Sequence, residues 1–182
     1  MGFDLYGVGQ NFVGKKPEID WDTNPSEKER DQYFDSQQEF EENNPGYYFR
    51  NNAWYWRPLW HYICIEVAPD ILSEEDKKSG DYNDGHLIDA TKAIHIADQI
   101  DKLDKEGVLD AYEKDYDKSM SELPDEECDL CKGTGIRHIH QKCNGCNGKG
   151  KRKSFVTNYP FIADNVRKFG QFARASGGFE IL

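Results

Sequence analysis

The residues whose type and spacing point most directly to chemistry are four cysteines in two pairs, Cys128 with Cys131 and Cys143 with Cys146. Each pair opens the same eight-residue unit, Cys128-Asp-Leu-Cys131-Lys-Gly133-Thr-Gly135 and Cys143-Asn-Gly-Cys146-Asn-Gly148-Lys-Gly150. Two residues between cysteines let one tight turn present both sulfurs to the same ion. Four thiolates complete the tetrahedral donor set of a structural zinc site, with metal–sulfur distances of about 2.3 Å. Gly133 and Gly148 suit left-handed backbone just after such a turn, and Gly135 and Gly150 suit a chain that doubles back as a hairpin. The expectation is one structural Zn2+ held by Cys128, Cys131, Cys143 and Cys146. A catalytic zinc keeps a coordination position open for water. His138 and His140, at the spacing of one strand face, offer a replacement for a cysteine, but exposed loop histidines are the leading reading.

Around the cysteines runs a basic stretch: Lys132, Arg137, Lys142, Lys149, Lys151, Arg152 and Lys153, with no acidic residue from 132 to 153. Such a loop can grip phosphates, although no aromatic residue lies among these positions until Phe155, so little is offered for base stacking. A solvated loop, or one paired with the chain's own acidic surface, is the simpler reading. The second candidate surface is the aromatic box from Phe49 to Trp60, with Trp54, Trp56, Arg57 and Arg50 as candidate contacts and His61 as a candidate acid or base. Most of such a box belongs in a core, and at least one tryptophan is expected outside it as a partner anchor. Cys64 stands among apolar residues and is expected to pack as a small hydrophobe. His86 and His95, nine apart on an expected helix, share no face.

These groups need a body to position them. The 182 residues suffice for one domain with a small appendage, and 24 aromatics supply core material in a chain with 37% hydrophobic and 31% charged residues. Net charge is −11 and polarised: residues 1–127 hold 13 Lys or Arg against 31 Asp or Glu, and residues 128–182 hold 10 against 3. The acidic part argues against general adhesion to nucleic acid or anionic membrane. No stretch approaches the roughly 18 apolar residues of a membrane span, and the start lacks a signal-peptide pattern, so a cytoplasmic protein with reduced cysteines is expected.

The expected fold is mainly α (α+β). A helical body (1–124 and 156–182) carries short strands at both termini, Phe3-Asp-Leu-Tyr and Phe179-Glu-Ile, which are candidates to pair with each other. Residues 125–155 form an inserted zinc knuckle of β-hairpins. The spacing predicts a helix from Ser26 to Glu42, a second begun by Pro58 and running through Trp60, Ile63, Cys64 and Val67, and a third from Asp84 to Leu103 with Leu87, Ala90, Ile94, Ala97 and Ile100 on its apolar face. A fourth spans Lys105 to Met120. A fifth spans Phe161 to Ala175, with Ile162, Val166, Phe169 and Ala173 inward, and is closed by Gly177-Gly178.

The doubled C-x-x-C-x-G-x-G resembles the zinc-binding region of DnaJ-type co-chaperones, in which such units fold as β-hairpins around zinc. That resemblance implies the metal and the local fold over residues 128–150. Two units stand here where those proteins carry four, and the His-Pro-Asp signature of their J-domain is absent. The whole chain is similar to a family of uncharacterised bacteriophage and bacterial proteins. Its start Met1-Gly2-Phe3-Asp4-Leu5-Tyr6-Gly7, the box Phe49-Arg50-Asn51-Asn52 with Trp54 and Trp56-Arg57-Pro58-Leu59-Trp60, and the ending Ser176-Gly177-Gly178-Phe179-Glu180 carry that likeness. It implies a viral accessory protein in the cytoplasm of an infected host cell. The leading functional expectation is a non-enzymatic, zinc-stabilised interaction protein whose partner is a host or viral protein, with no membrane partner. The alternatives are a nucleic-acid binder acting through the knuckle, an acidic decoy built on the run from Asp110 to Glu127, and a chaperone-like holder of unfolded chains.

Overall fold

Alternating apolar and polar residues at both ends of the chain form the two central strands of one antiparallel sheet, as the end patterns predict. The computed structural model describes residues 2–9, 12–138 and 141–182. In chain order the elements are β1 (Gly2–Gly7), α1 (Glu27–Asn43), β2 (Tyr48–Asn52), α2 (Ala53–Tyr62), α3 (Glu74–Ser79), β3 (His86–Asp89), α4 (Ala90–Lys105) and α5 (Val108–Glu122). The two-residue strands β4 (Glu126–Glu127), β5 (Ile136–Arg137), β6 (Gln141–Lys142) and β7 (Lys151–Arg152) follow, then α6 (Ala163–Ser176) and β8 (Gly178–Ile181). The architecture is mainly helical α+β, and the four-stranded sheet has the order β2-β1-β8-β3.

Register decides which residues face the core. Leu5 lies opposite Phe49 and Ile181, while Phe179 lies opposite Gly7 and Ile88. Phe3, Leu5, Ile88, Phe179 and Ile181 are all buried, whereas Asp4, Tyr6, Leu87 and Glu180 alternate to the outer face. Helices α4 and α6 pack on each other and on the buried face of the sheet. They contribute Ala93, Ile96, Ala97 and Ile100 from one and Val166, Phe169, Phe172 and Ala173 from the other. Gly177 closes α6 in the left-handed conformation at φ 67°. The arginines of α6 face the acidic helices: Arg167 bonds Asp104 and Asp110 at 2.7 and 2.6 Å, and Arg174 bonds Asp98 and Asp101 at 2.8 Å each. Part of the charge asymmetry is therefore internal stitching.

Three expectations are corrected. The helix expected to start at Pro58 begins five residues earlier, because the Asn52 side chain accepts from the Trp54 and Tyr55 N–H groups and caps it; Pro58 sits inside. Beyond Tyr62 the helix continues as a wider turn over Ile63–Val67. The helix expected from Asp84 begins at Ala90, capped by Asp89, and His86–Asp89 is an edge strand. Leu87, Ala90 and Ile94, expected inward, are exposed, and Ala93 and Ile96 take the core side. Ile162, also expected inward, precedes α6 and is exposed.

The edge strand and two helices are tied by one buried carboxylate. Asp76, 2% exposed, accepts from Lys92 Nζ at 2.7 Å, from His86 Nε2 at 2.9 Å and from Ser73. Burial pushes its pKa up, but the Lys92, His86 and Ser73 hydrogen bonds outweigh that and hold it well below the usual carboxylate range. Because the folded-state value is depressed, its stabilisation is present above the unfolded value of about 4 and is lost as pH falls below it. Urea denaturation should show Asp76→Asn less stable at pH 7 by about 3 kcal/mol. The gap to the parent should close as the pH is taken down through 4 toward 2.

Candidate metal centre

The knuckle is built on a local two-fold repeat of backbone geometry. In the first unit Lys132, Gly133 and Gly135 take φ of 51°, 77° and 71°; in the second Asn147, Gly148 and Gly150 take 50°, 80° and 73°. The Cys128 N–H donates to the Gly150 carbonyl and the Cys143 N–H to the Gly135 carbonyl, both at 2.9 Å, so each unit is closed by the last glycine of the other. Strands β4 and β7 form the stem, pairing Glu126 with Arg152 and Glu127 with Lys151; β5 and β6 form the outer hairpin, pairing Ile136 with Lys142.

This framework turns all four sulfurs inward. Cys128, Cys131, Cys143 and Cys146 are buried, form a cluster separate from the body's core, and place their sulfurs within 4.8 Å of one another. Cys128 Sγ lies 3.8 Å from Cys143 Sγ, and Cys131 Sγ lies 3.7 Å from Cys146 Sγ, each contact joining one unit to the other. All four are free thiols. The Gly135 N–H donates to Cys131 Sγ and the Gly150 N–H to Cys146 Sγ, at 3.2 Å each. Burial raises both the Cys131 and Cys146 thiols and the Gly135 and Gly150 N–H groups lower them; the sulfurs act on one another, pushing Cys131 up and Cys146 down, so the pair titrates as a unit that gives up one proton more readily than the other. The arrangement can hold one metal ion.

Gly135 and Gly150 are required twice over. Both have positive φ, and a Cβ on either would overlap the carbonyl oxygen of the opposing unit, Gly148 or Gly133. Gly135→Ala should therefore weaken metal binding by at least about tenfold in a chelator competition, with the body's fold retained. An unchanged affinity would mean that the cross-unit contact is not what shapes the site.

No family model, curated protein or solved structure matches this chain. Among the described residues no histidine joins the sulfur cluster; His138 is exposed, and His140 lies outside the described residues. Of the basic residues, Arg152 pairs with Asp129 at 2.6 Å and Lys153 with Asp125 at 3.3 Å, while Arg137 reaches Asn144 at 3.4 Å. Lys132, Lys142, Lys149 and Lys151 are exposed and have no ion pair among the described residues. The paired reading of the basic loop thus holds for Arg152 and Lys153 at its base, and not for Lys151 or the outer knuckle.

The aromatic box divides as its crowding predicts. Trp56 and Trp60 stack at 5.4 Å in the core, which corrects Trp56 as a contact residue: fully buried, it offers a partner no surface. Trp54 and Arg57 are exposed. Arg50 pairs with Asp4 at 3.5 Å. Cys64 is half-buried against the core, and burial pushes its thiol up to about 12, so it stays protonated and unreactive. The sequence reading missed two things. The glycine N–H donors to sulfur carry no residue-type signal, and the left-handed Lys132 and Asn147 are visible only as the residues preceding Gly133 and Gly148.

No helix among the described residues is long and apolar enough to cross a membrane.

Proposed function

We propose that this chain is a non-enzymatic interaction protein whose knuckle is folded by one structural Zn2+, and that its partner is a host or viral protein met in the cytoplasm of an infected cell. One observation carries the reading: the buried four-sulfur cluster with cross-unit edges of 3.7 and 3.8 Å. Four sulfurs at the corners of a tetrahedron, each about 2.3 Å from a central zinc, are separated by about 3.8 Å. The chain itself then fills all four positions. A zinc saturated by thiolates has no site for water, which favours a structural over a catalytic ion. Four thiolates around a divalent ion also leave the centre anionic, and the basic residues crowding residues 132–153 offset that charge without any external phosphate.

The phage setting rests on the likeness of the termini and the Phe49–Trp60 box to uncharacterised phage and bacterial proteins. The test is zinc per chain in protein purified under reducing conditions, together with partner capture from host lysate by wild type and by the double variant Cys128→Ser/Cys131→Ser. One zinc per chain and a partner lost in the variant place the interaction on the knuckle. Absence of zinc from the purified protein overturns the reading.

A nucleic-acid reading is favoured by one observation, the four knuckle lysines that have no ion pair among the described residues, Lys132, Lys142 and Lys149 on its outer part and Lys151 on the stem. It predicts binding that weakens with salt at a log–log slope of about −0.7 to −0.9 per phosphate contact, abolished by charge reversal at Lys132, Lys142 and Lys149. A flat salt response removes it.

A further inference from the structure

The first turn of α2 and the segment leaving the knuckle meet to form a surface that neither displays alone. The Asn52 cap sets the helix so that Trp56 and Trp60 enter the core while Trp54 and Tyr55 stay outside, 40% and 39% exposed. Phe155, 54% exposed, opens a short 3-10 turn over Phe155–Asn158. It meets Trp54 edge-on with centroids 5.5 Å apart, and Tyr159 backs Trp54 at 4.8 Å. Tyr159 is in turn fixed by its carbonyl, which accepts from Tyr116 Oη at 2.7 Å. The exposed rings therefore stand on a supported platform.

Between them lies a groove of about 530 Å3 lined by Asn52, Trp54, Tyr55, Phe155, Asn158 and Pro160. Tyr55 also lines a neighbouring depression of about 200 Å3, together with Asn51, Ile162, Asp164, Asn165 and Lys168. The first groove has no charged lining residue, in a chain that is 31% charged. The nearest knuckle cation in sequence, Lys153, is paired with Asp125, and the two charged residues lining the second depression, Lys168 and Asp164, pair with each other at 2.8 Å. The polar groups that remain are the Tyr55 hydroxyl and two amides. Asn52 spends its oxygen on the helix cap and keeps Nδ2 without a partner; Asn158 spends Nδ2 on the Phe155 carbonyl and keeps its oxygen without one, among the described residues.

We infer that this groove binds an uncharged, proline-rich extended segment of the partner protein. Flat aromatic rings with clefts between them are the surface that polyproline II segments occupy, because such segments are extended before binding and present prolines to ring faces. One free amide donor and one free amide acceptor match the carbonyl and N–H groups that an extended backbone leaves unpaired. A neutral groove fits a neutral ligand: a phosphate-bearing strand would lay its charges where no cation waits, and an acidic or basic peptide would bury charge without a counterion. The inference shares with the proposed function the premise of a protein partner, but it needs no metal at the contact.

The test uses the full-length zinc-loaded chain and three fluorescein-labelled probes: an uncharged proline-rich decapeptide, the same peptide with glycine for each proline, and a ten-nucleotide oligothymidine. Anisotropy should show saturable binding of the proline peptide alone, insensitive to salt. Trp54→Ala and, separately, Phe155→Ser should weaken it at least tenfold, the scale of an interface hot spot. Lys28→Glu, on the exposed face of α1, should leave it unchanged. Zinc content and near-ultraviolet circular dichroism confirm that each variant is folded. Equal binding of the glycine peptide, undiminished binding in both variants, no binding of the proline peptide, or preferential binding of oligothymidine would each overturn the inference. If a partner captured from lysate is lost with Cys128→Ser/Cys131→Ser but kept by Trp54→Ala, the groove assignment fails while the interaction reading stands.

Discussion

Stripping the metal with a strong chelator should unfold residues 126–152 and leave the helical body intact. The same division is expected for Cys128→Ser/Cys131→Ser, which should purify with far less than one zinc per chain. The four cysteines make a buried cluster of their own, and the body's core, from Phe3 to Ile181, contains none of them. Around the sulfurs the knuckle has few apolar side chains to bury; Leu130 and Ile136 are 47% and 50% exposed. Its strands are two residues long, too short to hold themselves together in water. A metal held by the four sulfurs would then be the main source of its folding free energy, on the order of 10 kcal/mol. Hydrogen exchange with and without chelator is the direct measurement, since knuckle amides should lose protection while amides in α4, α6 and the central strands keep theirs. Loss of protection in both regions together would mean that the knuckle is part of the body's cooperative unit. Acid should act in the same direction as the chelator, because protons compete with metal for the sulfurs.

The four-sulfur cluster was almost fully legible in the sequence because its geometry is local. Two residues between cysteines and a glycine two and four positions later define a turn whatever surrounds it, and the structure repeats that turn twice with backbone angles agreeing within a few degrees. The strand pairing of the termini was legible for a similar reason: a period of two in Phe3, Leu5, Phe179 and Ile181 survives any arrangement of the segments between. What could not be read was tertiary. Leu87 fits a helical stripe with Ile94 and Ala97 as well as it fits a strand, and only pairing with β8, opposite Glu180, decides the matter. Pro58 is a sound helix-start signal, but the Asn52 cap lies upstream of it and wins. The basic stretch reads as one uniform patch in sequence, yet Asp125 and Asp129, drawn in by the hairpin stem, divide it into a compensated base and a free outer end.

The same contrast between local and tertiary determinants makes Phe179→Ala the most damaging single change expected in the body. β8 is a central strand, hydrogen-bonded to β1 on one side and β3 on the other. The Phe179 ring is fully buried and meets Phe169 and Phe172 of α6 at 5.6 Å each. Truncation there leaves a cavity bounded by a sheet on one side and by α4 and α6 on the other, and elements held at both ends cannot collapse to fill it. A cost of about 4 kcal/mol is expected, a large part of the 5–15 kcal/mol that stabilises a typical domain. Glu180→Ala, one residue along but on the outer face, should change stability by no more than about 0.5 kcal/mol. Urea denaturation followed by tryptophan fluorescence reports the body directly, because Trp56 and Trp60 sit in that core. Metal content gives the decisive comparison: the Phe179→Ala chain should still carry its ion under conditions where its body is partly unfolded. The cysteine variant should show the converse, an empty knuckle on a body of undiminished stability. If Phe179→Ala instead releases the ion in step with unfolding, the sulfur cluster depends on the body for its shape.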